Sequence, residues 1–87
     1  MSGSSETRVV LTAALHARPA GQVVQAATRF SSEIEISYGE RTVSARGVLG
    51  VMALGATAGT TVVLRAIGDD AAEAVTALAA VLATATD

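Results

Sequence analysis

Cysteine and tryptophan are absent from this 87-residue chain, and histidine, proline, tyrosine and phenylalanine each occur once. Without cysteine there is no disulfide framework and no thiol chemistry. Structural zinc sites draw mainly on cysteine and histidine, so a single histidine argues against such a site. Two aromatic residues are too few for the stacking platforms that bind single-stranded nucleic acid. We therefore expect no metal, no cofactor and no nucleic-acid partner.

A long apolar run is also missing. No stretch approaches the roughly 20 apolar residues needed to cross a bilayer. The first residues, MSGSSETR, are polar where a signal peptide would be apolar. We therefore expect no membrane insertion, a cytoplasmic location and a flexible tail over residues 1–7. The remaining residues, 8–87, have the length of one domain with a single modest core.

Acidic residues are missing from one part of the chain. The formal net charge is −2, which argues against a general nucleic-acid binder. Yet the segment 8–31 holds no acidic residue and three arginines, Arg8, Arg18 and Arg29. Such a locally positive segment favours an anionic ligand or an acidic partner surface. Six arginines distributed by chance would also leave a stretch of this kind.

The first apolar segments predict a strand followed by a helix. RVVLTA (8–13) is short and β-branched, which is typical of a strand. Pro19 suits the first turn of a helix, where its missing N–H costs nothing. A helix is predicted from Ala17 or Pro19 to Arg29, because apolar residues recur there at helical spacing. Its predicted buried face comprises Ala20, Val23, Val24, Ala27 and Phe30.

A hairpin, a second helix and another strand are predicted next. The segment SEIEISY (32–38) alternates polar and apolar side chains as a half-buried strand does. After the turn in YGER, residues 41–45 form the returning strand of the hairpin. The apolar segment 47–55 is bounded by glycines, and Gly55 as a stop favours a helix over a strand. Residues 60–66 have the β-branched content of a strand.

The last segment predicts a long amphipathic helix. Asp70 and Glu73 have the spacing of a capping box, and the apolar face that follows comprises Ala71, Ala74, Val75, Leu78, Val81 and Leu82. The resulting order is β-α-β-β-α-β-α. Hairpin-linked strands with helices gathered on one face predict an α+β sandwich whose sheet is mainly antiparallel.

The single histidine stands at the start of the first predicted helix, in ALHARPAGQVV. A helix start leaves backbone N–H groups without intrahelical partners, and these carry partial positive charge that suits a phosphate. Arg18 adds a fork of N–H donors that fits phosphate oxygens. Free imidazole titrates at about pH 6.5, so a neutral, nucleophilic ring is available. His16 is therefore a candidate phosphoryl acceptor.

Two other interpretations of His16 stay open at this point. General acid–base catalysis usually recruits a carboxylate to orient the ring, and the nearest acids in sequence are Glu6 and Glu33. A chain this small also has little volume for a deep substrate cavity. The simplest interpretation is a surface histidine that acts as a loose helix cap.

The motif LHARPA (15–20) resembles the active-site motif of HPr, the histidine-containing phosphocarrier family of the bacterial phosphoenolpyruvate-dependent sugar phosphotransferase system. The segment GVLGVMALG (47–55) resembles the second signature of that family, and TRFSSEIEISYGERTVSARG (28–47) looks like the stretch between them. The similarity extends from about Arg8 to Leu82. Two separated motifs in register are a more specific signal than either motif alone.

The resemblance implies an open-faced β-sandwich with four antiparallel strands and three helices on one face. It also implies that Nδ1 of His16 accepts a phosphoryl group from phospho-enzyme I and that the group passes to a IIA domain. Arg18 matches the family's active-site arginine, and Ala17 and Arg18 would offer backbone N–H groups to the phosphoryl oxygens. Such a protein is a stoichiometric carrier rather than an enzyme.

The second motif predicts a docking surface. In a helix over 47–55, Val51 and Leu54 would face the core, and Val48, Leu49 and Met52 would share another face. The matching positions in HPr proteins contact partners, and a flexible thioether adapts to unlike surfaces. Arg29 and Arg46 are candidates for a basic rim around this surface. The alternative is that all five apolar residues belong to the core.

The sequence departs from the family pattern at several positions. Gly47 stands where many members carry a regulatory serine, which puts that regulation in doubt, and Ala13 and Ala14 replace residues that often carry a hydroxyl or are glycine. Two further function classes follow: an HPr-fold regulatory or binding module, and an HPr-like carrier in a nitrogen-related or dihydroxyacetone kinase relay. His16 and Arg18 together favour a carrier. We expect a monomer, because the docking surface must stay open to alternate partners.

Overall fold

The computed structural model of the chain describes residues 3–86. Its elements are β1 (Gly3–Val10), α1 (Ala17–Ala27), β2 (Glu33–Tyr38), β3 (Arg41–Ser44), α2 (Val48–Ala53), β4 (Thr61–Gly68) and α3 (Ala71–Thr84). This order confirms the predicted β-α-β-β-α-β-α arrangement. The fold is the predicted open-faced β-sandwich, in which three helices cover one face of a four-stranded antiparallel sheet.

The strands lie in the order β1-β4-β2-β3, and every neighbouring pair is antiparallel. β4 pairs with β1 from Gly3↔Gly68 to Val10↔Thr61 and with β2 on its other side. β2 and β3 form the predicted hairpin. Gly39 has φ +60° at the first central position of the two-residue turn, which is the position where a type II′ hairpin turn favours glycine.

Side-chain alternation gives the sheet one covered and one open face. Leu64 in β4 and Ile36 in β2 are fully buried against the helices, while Arg65 and Glu35 point to the open face with their charged atoms 3.8 Å apart. Burying one such aliphatic side chain contributes about 1.5–3 kcal/mol. The sheet core therefore fixes the register that positions the loops between the elements.

The helices cover the sheet with faces built largely from alanine, valine and leucine. α3 packs against β1 and β4, and α1 packs against α3 and α2. The buried residues of α1 are Pro19, Ala20, Val23, Ala26 and Ala27, and those of α3 are Ala71, Ala74, Val75, Leu78 and Leu82. Within residues 3–86, no helix combines the length and apolar character needed to cross a bilayer.

β1 differs from its prediction at both ends. It begins at Gly3, so the flexible tail predicted over residues 1–7 is wrong for residues 3–7, which pair with β4; residues 1 and 2 lie outside the described residues. The strand ends at Val10, before the predicted end at residue 13. The segment GSSETR does not have the sequence pattern of a strand. Its positions that face the helices carry serine and threonine rather than large apolar side chains.

Asp70 does not form the predicted capping box with Glu73. It is the N-cap residue of α3, but its side chain makes no capping hydrogen bond. Its carboxylate instead accepts hydrogen bonds from the backbone N–H groups of Ser31 and Ser32, at 2.9 and 3.0 Å, and from Oγ of Ser32. These hydrogen bonds lower the pKa of Asp70, and the bond from the Ser32 side chain has the largest effect. The carboxylate is thus committed to the α1–β2 loop.

The other boundaries differ by only a few residues. α1 ends at Ala27, two residues before the predicted end at Arg29. β4 continues to Gly68, two residues beyond the prediction. Gly68 has φ +149°, and a Cβ atom there would lie 2.5 Å from Oγ of Ser32. Glycine is therefore required where β4 passes the Asp70–Ser32 contact.

Candidate functional site

His16 is the N-cap residue of α1. Its backbone is extended, with φ −73° and ψ −177°, and its carbonyl accepts the N–H of Ala20 at 3.0 Å. The residue is exposed, and its side chain makes no capping hydrogen bond to the helix. His16 is thus a surface histidine at a helix N-cap, and the helix is not capped by its side chain. The imidazole is presented to solvent at the beginning of the helix.

The first turn of α1 has the polarity that an anion requires. The N–H groups of Ala17 and Arg18 donate to no backbone carbonyl within residues 3–86, and Pro19 has no N–H to donate. Arg18 is exposed, and the first turn contains no acidic residue. The partial positive charge of the helix start and the guanidinium therefore act in the same direction.

The residues on either side of His16 are anchored in the protein. Leu15 is 3% exposed, and its N–H donates to the carbonyl of Ala56 at 3.1 Å. Pro19 is fully buried, and Ala20 follows it into the core. The exposed segment His16–Arg18 thus lies between buried residues on both sides. A side chain on a fixed backbone is held near a reacting partner at a low entropic cost.

Helix α2 divides its apolar residues as the spacing predicted. Val51 and Leu54 are buried at 0% and 3% exposure, while Leu49 is 78% exposed. Val48 and Met52, exposed at 39% and 37%, accompany Leu49 on the outer face. The alternative that all five side chains belong to the core is wrong. We call Val48, Leu49 and Met52 the α2 patch; α2 itself packs against α1, the helix that begins at His16.

The two arginines predicted at the rim converge on one loop. The guanidinium of Arg46 donates from Nη2 to the carbonyls of Phe30 at 2.6 Å and Ser32 at 3.1 Å. The guanidinium carbon of Arg29 lies 6.0 Å from the centroid of the Phe30 ring. Arg46 therefore braces the α1–β2 loop through its carbonyls, whereas Asp70 binds its N–H groups.

A further arginine holds the end of α2. Nη1 of Arg41 donates to the carbonyl of Ala53 at 2.9 Å, which is one of the last carbonyls of the helix. Nothing in the sequence pattern indicated this contact or those of Asp70, because the partners are 12 to 39 residues apart along the chain. Contacts between residues this far apart along the chain become visible only once the sheet register is known.

Gly47 is the N-cap residue of α2, with φ −111° and ψ 107°. Its N–H donates to the carbonyl of Ser44 at 3.3 Å. Oγ of Ser44 accepts the N–H of Arg46 at 3.1 Å. At the N-cap of α2, where a serine or threonine hydroxyl often caps a helix, this chain has a glycine.

Two shallow depressions on the surface each have a volume of about 500 Å³ or more. One, of about 540 Å³, is lined by Thr12–Ala14, Ala58 and residues 83–86. The other, of about 500 Å³, lies between α1 and α3 and is lined by Gln22, Gln25, Ala26, Thr28, Arg29 and Val81. His16 lines neither depression. The imidazole is therefore accessible to a macromolecular surface rather than placed in either depression.

These features define a small α+β protein that presents one histidine, an arginine and backbone N–H groups at a helix start, next to an exposed apolar helix face. Comparison with known sequences gives the class: the family model described as the PTS HPr component phosphorylation site matches residues 4–84. The chain belongs to the HPr family of phosphocarrier proteins.

Solved structures agree with this assignment. The phosphocarrier protein HPr from Bacillus anthracis str. Ames is 36% identical, with a TM-score of 0.86, and the alignment covers 92% of this chain and 98% of that one. HPr-C-His from Thermoanaerobacter tengcongensis is 38% identical, with a TM-score of 0.79 and coverage of 92% and 90%. Crh, the catabolite repression HPr of Bacillus subtilis, is 36% identical, with a TM-score of 0.78 and coverage of 97% and 100%.

Proposed function

We propose that this chain accepts a phosphoryl group on Nδ1 of His16 from phospho-enzyme I and delivers it to a IIA domain of a sugar phosphotransferase system. One observation carries the proposal: the exposed imidazole stands at the N-cap of α1, and the first turn has Arg18 and no acidic residue. Membership of a phosphocarrier family supports the same conclusion.

In the accepting step, the lone pair of neutral Nδ1 attacks phosphorus. A P–N bond forms while the bond from phosphorus to the donor atom of enzyme I breaks, and its electron pair returns to that donor. In the delivering step, a nucleophile of the IIA domain attacks phosphorus and the electron pair of the P–N bond returns to Nδ1. Both steps are reversible transfers that need positioning and charge stabilisation more than covalent help.

Arg18 and the two N–H groups have the charge-stabilising role. Negative charge is spread over the three equatorial oxygens of the transferring group. The exposed guanidinium of Arg18 supplies donors to two of these oxygens, and the N–H groups of Ala17 and Arg18 supply the polarised helix start. Because these donors are exposed, they stabilise the phosphoryl group both when it arrives from enzyme I and when it leaves for the IIA domain. Neither step then needs a closed cavity.

The α2 patch has the role of a docking surface for both partners. Its three side chains are apolar and exposed, and they lie on a helix whose orientation is fixed by buried Val51 and Leu54. Arg29, which is exposed, adds a cationic rim. Arg46 contributes by holding the α1–β2 loop beside it. We also propose that the carrier is a monomer in the cytoplasm, since one patch that serves two partners must remain uncovered.

A regulatory module is the second candidate, because the similar chains include Crh, the catabolite repression HPr of Bacillus subtilis. Three residues of this chain favour the carrier. His16 and Arg18 are both present and exposed, and Gly47 cannot take a phosphoryl group at the start of α2. A module that worked through a serine at that position would need the hydroxyl that this chain lacks there.

The test is to incubate the protein with enzyme I and labelled phosphoenolpyruvate, and then to add a IIA domain. The wild type is expected to take up one acid-labile phosphoryl group and to lose it to the IIA domain. His16→Ala is expected to take up none, and Arg18→Gln is expected to slow uptake by about 100-fold, since charge-stabilising donors typically contribute a factor of this size. Label that persists on His16→Ala would refute the proposal.

A further inference from the structure

The loop in front of His16 is held at its two ends by backbone hydrogen bonds. At one end, the N–H of Leu11 donates to the carbonyl of Thr60 at 2.9 Å, and the N–H of Gly59 donates back to Leu11 at 2.8 Å. At the other end, the N–H of Leu15 donates to the carbonyl of Ala56 at 3.1 Å. Within residues 3–86, no backbone–backbone hydrogen bond joins Thr12 or Ala13, in the middle of the loop, to another segment.

The middle of the loop is held by a side chain instead. Oγ1 of Thr12 donates to the carbonyl of Leu82 at 3.1 Å and to that of Ala85 at 2.8 Å. One hydroxyl proton is thus shared between two acceptors. Leu82 lies in the last turn of α3, where carbonyls have no intrahelical partner. The contact therefore caps α3 and anchors the loop at the same time, across 70 residues of chain.

In the middle of the loop Ala13 is buried, whereas Thr12 is exposed and Ala14 is half-buried. The adjoining depression, of about 540 Å³, is lined by alanine and threonine side chains, among them Ala14, Ala58 and Ala83. Methyl-sized side chains around an open depression make few dispersion contacts. Without the hydroxyl, Thr12 loses its tie to α3 beside this space, and the position of His16 then rests on the burial of Ala13 and Leu15 and on the hydrogen bond from Leu15 to Ala56.

We infer that Thr12 is a positioning residue for His16, which it holds in register with the helix start by tying the loop to the C-terminal end of α3. Its effect on transfer rests on the proposed function. Thr12 itself does not touch the phosphoryl group in this role. Its effect is on how often the ring stands in line with the donor phosphorus, and geometric displacement of this kind lowers a rate strongly.

The test compares Thr12→Val, which keeps the shape and removes the hydroxyl, with Thr12→Ser, which restores it. Thr84→Val is the matched control, because within residues 3–86 Oγ1 of Thr84 donates to the carbonyl of Ala80 in its own helix, at 2.8 Å, near the same end of α3. For phosphoryl transfer from phospho-enzyme I, Thr12→Val is expected to lower kcat about tenfold with KM within twofold of the wild type. Thr12→Ser and Thr84→Val are expected to stay within twofold in both constants.

A second measurement needs no partner protein. In the unphosphorylated protein, Thr12→Val is expected to shift the NMR signals of the His16 ring and to speed hydrogen exchange at the amide of Leu15, whereas Thr84→Val leaves both unchanged. If the wild type takes up no phosphoryl group, the proposed function fails and this measurement alone decides the positioning role. Wild-type ring signals and exchange rates in Thr12→Val, or an equal loss of kcat in Thr84→Val, would overturn the inference.

Discussion

At the scale of single residues, His16 and Asp70 show two uses of an N-cap position. Each precedes a helix, and neither side chain caps that helix. The carboxylate of Asp70 binds Ser31 and Ser32 instead. The imidazole of His16 is exposed, and the N–H groups of Ala17 and Arg18 donate to no backbone carbonyl within residues 3–86. A conventional Ser, Thr or Asp cap at residue 16 would occupy one of the orphan N–H groups of this helix start.

Asp70 gives a prediction on pH and stability. Its pKa is lowered in the folded protein, so its hydrogen bonds stabilise the fold fully above the ordinary carboxyl pKa and are lost as the pH falls through the lowered value. Asp70→Asn is expected to lower the urea midpoint at pH 7. The difference from the wild type is expected to shrink as the pH is taken below about 4.

The exposed neighbour Asp69 supplies the control for this measurement. Asp69→Asn removes the same charge at the next position of the chain, and we expect its urea midpoint to stay close to that of the wild type at every pH. A difference between Asp70→Asn and the wild type that stays constant from pH 7 to pH 3 would contradict the role given to the ionised carboxylate.

The placement of His16 and Arg18 at an exposed helix start could be predicted from the sequence because it depends on neighbouring residues. The histidine, the arginine and the helix start lie within four residues, and the proline lies in the first turn of α1, where its missing N–H costs nothing. Asp70 was misassigned because an aspartate three residues before a glutamate looks the same in sequence whether it caps its own helix or binds a distant loop. Only the tertiary fold brings Ser32 to Asp70.

At the scale of elements, α2 is a short helix held at both ends by contacts from outside. Arg41 bonds the carbonyl of Ala53, and Arg46 reaches the α1–β2 loop just before the helix begins. Six residues are too few for a helix that is stable alone. These contacts and the burial of Val51 therefore decide which face α2 presents to solvent.

The α2 patch gives a prediction on docking. Leu49→Gln is expected to raise KM for phospho-enzyme I about tenfold with little change in kcat, because an exposed apolar anchor contributes on the order of 1–2 kcal/mol to an interface. Its free energy of unfolding is expected to change by less than about 0.5 kcal/mol, as at most exposed positions.

Ile67→Gln is the matched control for Leu49→Gln. Ile67 is also a large exposed apolar residue, at 49%, but it lies in β4 on the open face of the sheet. We expect wild-type KM and kcat for this variant. Equal increases of KM for Leu49→Gln and Ile67→Gln would show that the increase results from a more polar surface in general and not from a change in the α2 patch.

The elements differ in how well their sequences predicted them. The segment 32–38 alternates strictly, and its predicted bounds differ from those of β2 by one residue. The inner and outer faces of α2 followed from helical spacing alone. β1 was misplaced because its first half carries small polar residues, and pairing with β4, which is not encoded locally, makes it a strand.

At the scale of the whole molecule, the fold separates stability from function. The sheet and the inner faces of α1 and α3 bury the core, while the segment 16–18 and the α2 patch remain exposed on adjacent helices. The architecture was predictable because hairpin signals and helix periodicity agree with one another. The contacts of Thr12, Asp70 and Arg46 between segments were not, since each joins residues that only the packed fold brings together.

The most direct test of the central claim follows the ring nitrogens of the one histidine in the chain. The protein is labelled with ¹⁵N-histidine and observed by NMR during incubation with enzyme I and phosphoenolpyruvate, and then after addition of a IIA domain. The Nδ1 signal is expected to move strongly on phosphorylation, with a much smaller change at Nε2, and to return once the IIA domain is added. Phosphoryl label bound to the protein while both ring signals stay unchanged would contradict the claim.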